Sequence, residues 1–422
     1  MSLQKFDGEP NIPYICQNRR RMETLLNNIH GRYASEKKTV LALCSSHESY
    51  SITDLAKELG TSIPKVTRIV TEMIQEGFLV EIGKLESATG RRPSLYGLNP
   101  RAGSFVGVDV GRDSLIVAVT NFSGRVTRVL EDIPFRLQNT EDSVSAFCAT
   151  VLENLEKAGV KKEQIRGYGV NLTGRVNHRT GYSYSYFMGE EKPMSQLLEK
   201  GFGHAVVVEN DSRAMAYGEY MSSFPGTEGN ILFLNVGWGL GMGMVMDGKL
   251  YYGKSGFSGE VGHFPLLDNN CVCQCGKVGC LETGASGSAL HRLVMEKLKE
   301  GRSSLLSPLY KEEGKDIPLE SILDAVERED VLCIECVEQI GATLGRAVAG
   351  LINIFNPDMV VVGGRLSVTE RYLMPPLRGA VNRLSLNLVN SDTVIKVSRL
   401  GKSAGAIGAS LLSKNLLLNE IA

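Results

Sequence analysis

The sequence predicts an α/β protein of two unlike parts: an N-terminal helical unit closed by a β-wing, and a longer unit of alternating strands and helices. Three observations carry that expectation. At 422 residues the chain exceeds the ~250 to 300 residues that one hydrophobic core usually serves. Its first hundred residues set helix, glycine turn, helix and hairpin in that order. After Asn99-Pro100 the texture changes to short β-branched runs separated by amphipathic stretches. The expected division is 1–100 and 101–422.

Composition narrows the class without naming a function. Hydrophobic residues at 43%, charged residues at 22% and 46 glycines fit a soluble, glycine-rich α/β protein and exclude a disordered or fibrous one. No apolar run approaches the ~18 residues of a membrane span, and the first ten residues carry Lys5, Asp7 and Glu9 in place of a signal-peptide core. A cytoplasmic protein with no membrane partner is expected. Residues 1–100 hold 13 Lys+Arg against 11 Asp+Glu, a bias too small to establish a nucleic-acid partner, so the position of the charges has to decide.

Residues 10–33 read as a helix interleaved with Arg19, Arg20 and Arg21, followed by a second helix over about 35–45. Ser51-Ile-Thr-Asp54 reads as a capping box that opens a helix with Leu55, Ala56 and Leu59 on its apolar face, stopped by Gly60. Ser62 can cap the next helix and Pro64 suits its first turn. Val66, Ile69, Val70, Met73 and Ile74 then follow a 3.6-residue period as far as Gly77. The opposite face carries Lys65, Thr67, Arg68 and Thr71, donors suited to base edges and phosphates in a major groove. Alone, such a face reads as solvated. Followed by runs at 78–84 and 94–98, it reads as a helix-turn-helix with a wing. The wing tip, Thr89-Gly90-Arg91-Arg92-Pro93, pairs close backbone approach with two guanidinium groups suited to a minor groove or to phosphates. Ser62, Lys65, Thr67, Arg68, Arg91 and Arg92 are therefore the expected contacts to operator DNA.

In the second unit strands are expected at 104–110, 115–121, 165–170, 204–209, 230–236, 241–246 and 359–362. Four of the nine cysteines crowd into Cys271-Val-Cys273-Gln-Cys275-Gly-Lys-Val-Gly-Cys280, downstream of His263. Such density in a long chain favours a metal over disulfides, whereas Cys16, Cys44, Cys148, Cys333 and Cys336 lie in apolar or helical patterns and read as buried thiols. Three thiolates and an imidazole make a closed tetrahedral zinc site, and Gly276 and Gly279 let the loop wrap the ion. His263, Cys273, Cys275 and Cys280 are the expected ligands of a structural zinc. Cys271 is an alternative that spacing leaves open.

A winged helix, then Gly259-Glu260-Val-Gly-His263, then Cys273-x-Cys275-Gly-x-x-Gly-Cys280-x-Glu282 resembles the ROK family of repressors, open reading frames and sugar kinases. The resemblance runs over almost the whole chain from about residue 35. It implies an actin-like ATPase (ribonuclease H-like) fold, in which two α/β lobes flank a cleft and zinc braces the sugar-binding loop. It also implies roles: Asn210 for sugar hydroxyls, Asp211 for the hydroxyl that kinases phosphorylate, and Glu260, His263 and Glu282 at the other hydroxyl positions. Amides and carboxylates around a polyol suit this, since each accepts or donates paired hydrogen bonds. Without the resemblance, Asn210-Asp211 reads as a turn or a helix cap. Gly174 joins the sugar set within Asn171-Leu-Thr173-Gly174-Arg175-Val176, where the family usually carries a Pro-Gly pair.

The nucleotide side departs from the family pattern. In place of Asp-x-Gly-Gly-Thr stands Asp109-Val-Gly111-Arg112-Asp113-Ser114, and in place of Gly-Thr-Gly stands Gly237-Trp238-Gly239. Bulk and a carboxylate occupy positions where backbone donors would approach phosphates. Val362-Gly363-Gly364 keeps the adenosine-side pattern, though glycines there can serve backbone geometry alone. ATP is not expected, and Asp211 is catalytic only if the chain is a kinase. The expected function is a sugar-responsive transcriptional regulator, a repressor, working as a homodimer or homotetramer on a monosaccharide or sugar-phosphate effector. The alternative is a hexokinase-type ATP-dependent sugar kinase with an appended DNA-binding arm.

Overall fold

The computed structural model describes residues 33–84, 93–185, 192–224, 229–313 and 316–419. The helix expected over 10–33 lies outside them, apart from residue 33. The N-terminal unit contains α1 (Ala34–Ser46), β1 (Tyr50–Ser51), α2 (Ile52–Glu58), α3 (Ile63–Gln75), β2 (Leu79–Lys84) and β3 (Ser94–Leu98). Ser51 opens α2 through a full capping box with Asp54, and Gly60 leaves the helix at φ +58. The stripe on α3 buries Val66, Ile69, Val70 and Met73, while Ile74 at its edge stays exposed. Ser62 stands at the N-cap of α3 without a side-chain bond, which corrects the expected cap. The reason is local: Pro64 has no amide to offer, and the Lys65 and Val66 amides turn back to the Ser62 carbonyl.

The strands of this unit form an antiparallel sheet in the order β1-β3-β2, with a register shift between Glu81 and Gly83. Lys37 of α1 is buried between Glu72 of α3 (3.0 Å) and Glu76 at its C-cap (2.5 Å), so α3 is held by paired charge as well as by packing. The core of the unit is not closed by the unit itself. Phe105, Phe122, Leu417 and Leu418 from the second unit pack among Val40, Leu41, Leu55 and Ile69.

The second unit is two lobes of one design. The first comprises β4 (Ser104–Val110), β5 (Ser114–Asn121), β6 (Val126–Pro134), α4 (Glu141–Lys157), β7 (Ile165–Leu172), a ribbon of β8 (Val176–Asn177) and β9 (Tyr182–Ser183), α5 (Met194–Phe202) and β10 (Val206–Asn210). The chain continues through α6 (Asp211–Ser223), β11 (Ile231–Val236), β12 (Leu240–Met246), β13 (Lys249–Leu250), α7 (Gly287–Lys299), α8 (Ser307–Glu313), α9 (Leu319–Glu327) and α10 (Val331–Phe355). It finishes with β14 (Met359–Gly363), α11 (Glu370–Leu384), α12 (Asn387–Asn390), β15 (Val394–Val397) and α13 (Ala404–Asn419). The sheets run β6-β5-β4-β7-β10 and β13-β12-β11-β14-β15. Each has three antiparallel strands in a meander and two parallel strands beside the first of them. This duplicated order is the actin-like arrangement.

Strands β6 and β15 were not expected. Both are sheet edges: β6 is mostly exposed and β15 is only four residues long, so neither shows the apolar alternation that marks a half-buried strand. Helices α6 and α13 pack against each other and against the sheets at backbone distance. A Cβ at Gly408 would lie 1.7 Å from the Ala214 carbonyl, and one at Gly107 would lie 1.9 Å from that of Ala406. No described helix is long and apolar enough to cross a membrane.

Candidate functional site

Strand β10 delivers Asn210 and Asp211 to the start of α6. Asn210 is the N-cap: Oδ1 accepts from the Arg213 amide at 3.1 Å, and Nδ2 donates to the Gly174 carbonyl at 2.8 Å and to Asp211 Oδ1 at 2.9 Å. Asp211 Oδ1 also accepts the Ser212 amide (2.7 Å). Its Oδ2 takes the Thr173 hydroxyl at 3.2 Å and, from the other lobe, Asn235 Nδ2 at 3.4 Å. Burial raises the Asp211 carboxyl above its ordinary value, and the bonds from Ser212 and Thr173 offset part of that rise. Gly174 sits at φ +96, and a Cβ there would lie 2.0 Å from Ser185 Oγ, so conformation and space both require glycine.

The start of β12 gathers the remaining expected sugar ligands. Ser212 lies against Gly241, and the segment carrying Glu260 and His263 lies over β12 with Gly259 on the Met242 carbonyl and Gly262 on that of Leu240. Glu282 Oε2 accepts the Leu240 amide at 2.9 Å. Glu260 is exposed, with Oε2 at 3.8 Å from His263 Nε2. One strand thus backs both Asp211 and the three downstream residues.

His263, Cys273, Cys275 and Cys280 place their ligand atoms within 4.8 Å of one another. Cys273 Sγ is 3.6 Å from His263 Nδ1, and Cys275 Sγ is 3.6 Å from Cys280 Sγ. A tetrahedron with metal–sulfur bonds of about 2.3 Å has edges of about 3.8 Å, so the donor set fits a zinc-sized ion. Cys271 is outside this group, its amide bonded to Asn269 Oδ1. Glu282 Oε1 lies 3.6 Å from Cys273 Sγ, so the same carboxylate that holds β12 also touches the cysteine knot.

Across the cleft, the two departures from the kinase pattern face each other. The Arg112 guanidinium from the first lobe lies 6.0 Å from the Trp238 ring of the second. Asp113 pairs loosely with Arg112 (3.9 Å) and Arg136 (3.8 Å). The carbonyls of Gly237 and Trp238 take the amides of Gly287 and Ser288 at the start of α7. Gly364, at φ +81, packs on Val236, so backbone geometry alone accounts for that glycine. Asp109 is raised to about 7, first by burial and then by the neighbouring Asp211 charge, with Arg365 opposing.

On α3, Ser62, Thr67 and Arg68 are exposed, and the Thr67 hydroxyl donates to the Ile63 carbonyl at 2.9 Å. Lys65 is half-buried. Its Nζ pairs with Glu36 at 2.6 Å and lies 5.5 Å from the Tyr33 ring, which turns it toward α1. Arg91 and Arg92 lie outside the described residues. Sequence reasoning missed Thr173, Asn235 and Arg213. Asn235 alone left a signal, as a polar residue near the end of the apolar strand β11.

A winged helix-turn-helix sharing a core with a two-lobed sugar-kinase fold, whose cleft joins an Asn-Asp pair to a His-Cys knot, defines a DNA-binding protein of the sugar-kinase architecture. The chain belongs to the ROK family, whose pattern matches residues 105–416, and the MarR family pattern matches residues 37–80. It is 29% identical to the xylose repressor of Caldicellulosiruptor bescii over 94% of this chain and 99% of that protein. A solved ROK family transcriptional regulator, described as a homologue of the E. coli MLC protein, superposes with TM-score 0.72 at 27% identity, covering 88% of this chain and 94% of that one. A ROK glucokinase from Streptomyces griseus, solved with glucose and AMPPNP, superposes with TM-score 0.64 at 27% identity over 74% of this chain and 99% of the other. The family therefore holds both repressors and kinases.

Proposed function

We propose that the protein is a sugar-responsive transcriptional repressor. The winged helix binds operator DNA, and the cleft takes a monosaccharide or a derivative such as a sugar phosphate. The observation that carries this is α13. Its first turn lies on the cleft floor, where Gly405 packs on Asp109 and Asn171, and its last turn places Leu417 and Leu418 inside the winged-helix core. Lobe movement on sugar binding would reach the DNA reader through one packed helix. In this reading Ser62, Thr67 and Arg68, with Arg91 and Arg92, contact DNA, Lys65 mainly steadies α3, and residues 1–100 and 101–422 divide the two tasks. Two copies address a two-fold operator, as a homodimer or within a homotetramer in the cytoplasm.

Asn210, Asp211, Glu260, His263, Glu282 and Gly174 form the sugar set. His263, Cys273, Cys275 and Cys280 hold zinc, which supplies a fixed tetrahedral brace for the loop and has no open position for a substrate. The Arg112–Trp238 contact supports a protein that does not use ATP. Fluorescence anisotropy of operator DNA, with and without D-xylose, D-glucose and N-acetyl-D-glucosamine, tests the reading; absence of sequence-specific binding under every condition would retire it. One observation favours the kinase alternative: Asp211 is in place between Thr173 and Asn235. A coupled ADP-release assay over the same sugars decides that point, and turnover abolished by Asp211→Asn would establish the enzyme.

A further inference from the structure

Arg213 lies in the first turn of α6 and is only 3% exposed, a position where an isolated cation would be costly. Every arm of its guanidinium is used. Nε donates to Glu209 Oε1 at 2.6 Å, Nη1 to the Gly256 carbonyl at 2.8 Å, and Nη2 to the Val176 carbonyl at 2.8 Å. The Tyr252 ring lies 5.6 Å from Cζ, and His178 stacks on that ring at 3.5 Å. Glu209 is itself buried, and it also accepts the Asn210 amide at 2.7 Å.

The three partners lie on three separate segments, and each segment carries part of the sugar set. Glu209 immediately precedes Asn210 and Asp211, Val176 follows Gly174 by two residues, and Gly256 precedes Glu260 by four. The Arg213 main-chain amide also bonds Asn210 Oδ1, which fixes the plane of that amide. A buried ion pair is rarely a net source of stability against apolar packing, so its value here lies in geometry. A planar fork with separate donors can hold a carboxylate and two carbonyls at fixed spacing, and an ammonium group cannot reproduce that.

We infer that Arg213 is the positioning residue of the sugar site: without touching the ligand, it sets the spacing between the Gly174 turn, the Asn210-Asp211 pair and the Gly256–Glu260 segment. The inference rests on the sugar reading of the cleft.

The test uses the full-length, zinc-loaded protein, with titration calorimetry against D-xylose, D-glucose and N-acetyl-D-glucosamine. In Arg213→Lys the sugar that the wild type prefers is expected to bind about 10- to 100-fold more weakly, and the preference among the three to flatten, because misplaced ligands lose discrimination. Zinc content and sugar-free operator affinity are expected to stay within about twofold, since the knot and α3 do not touch Arg213. A purely structural role would lower the melting temperature and leave the ranking of the sugars intact. If Arg213→Lys fails to fold, the double variant Glu209→Gln/Arg213→Met removes both charges, leaves no orphaned ion, and should show the same flattening. Wild-type affinity and ranking in either folded variant overturn the inference alone. No binding of any of the three sugars or of their phosphate esters by the wild type overturns the sugar reading and this inference with it.

Discussion

The two sides of the cleft are built to different standards. On the side proposed to take the sugar, Asn210, Asp211 and Glu282 are each anchored by main-chain bonds, and Glu282 ties the cysteine knot to β12. On the side that matches the family's nucleotide loops the turns persist, but Arg112, Asp113 and Trp238 stand where that pattern has glycine and threonine. Arg112 and Trp238 meet across the space, and Gly364 is explained by its own φ and its packing on Val236. The lesson is that a glycine pattern reports backbone geometry, whereas binding is reported by the polar groups around it. Val362-Gly363-Gly364 alone would suggest a nucleotide, and its neighbours argue against one.

That contrast can be broken most forcefully at the metal. If the knot holds the proposed zinc, stripping it with a chelator, or substituting Cys280→Ala, should lower the melting temperature by roughly 10 °C or more, since several kcal/mol of metal binding are folding energy. Sugar binding should go with it, as Glu282 links the knot to β12. Differential scanning fluorimetry with metal analysis reads both effects, and a chelated protein that keeps its melting point and its sugar affinity would separate the knot from the site.

Asp109 offers a pH-dependent probe of the nucleotide side. Its folded value of about 7 is raised from 3.8, so the folded state keeps the proton longer and stability falls as pH climbs between those values, then levels off. Asp109→Asn should therefore stabilise the protein by an amount that grows from pH 4 to pH 7 and is constant above, reaching roughly 2 to 4 kcal/mol. Urea unfolding at pH 5 and pH 8 checks this, and an equal gain at both pH values would contradict it.

On the sugar side, Asp211→Asn should weaken binding of the preferred sugar by about 10- to 100-fold, the cost of losing a charged hydrogen-bond acceptor. Calorimetry measures it, and an unchanged affinity would take Asp211 out of the sugar set. The smallest effect is expected across the cleft. Arg112→Ala or Trp238→Ala should change stability by no more than about 1 kcal/mol, as for an exposed cation–π contact, and leave sugar and operator affinities unmoved. Because Trp238 is the only tryptophan in the chain, its fluorescence reports directly on whether Arg112→Ala disturbs that contact. A tenfold loss of sugar affinity in either variant would show that the two sides are not independent.

Much of this was legible in the chain itself. The Ser51 to Asp54 cap, the α3 stripe and the density of cysteines depend on near neighbours, and near neighbours are what sequence spacing encodes. The edge strands β6 and β15 left no alternation to find, and the failure of Ser62 as a side-chain cap follows from the turned-back amides after it. Arg213 shows the limit most clearly. Nothing in Asp211-Ser-Arg213 says that its guanidinium will reach Val176 and Gly256, which are 37 and 43 residues away in the chain.

The sequence by itself determined the two-part architecture, the crowding of cysteines downstream of His263 and the departures from the phosphate-binding pattern, because these are properties of residue type at fixed local spacing. Only the tertiary structure decided that Arg112 faces Trp238, that Asn235 crosses from the other lobe to Asp211, and that α13 runs from the cleft floor into the winged-helix core. Those are contacts between segments brought together by packing, and packing answers to the shape of the whole molecule.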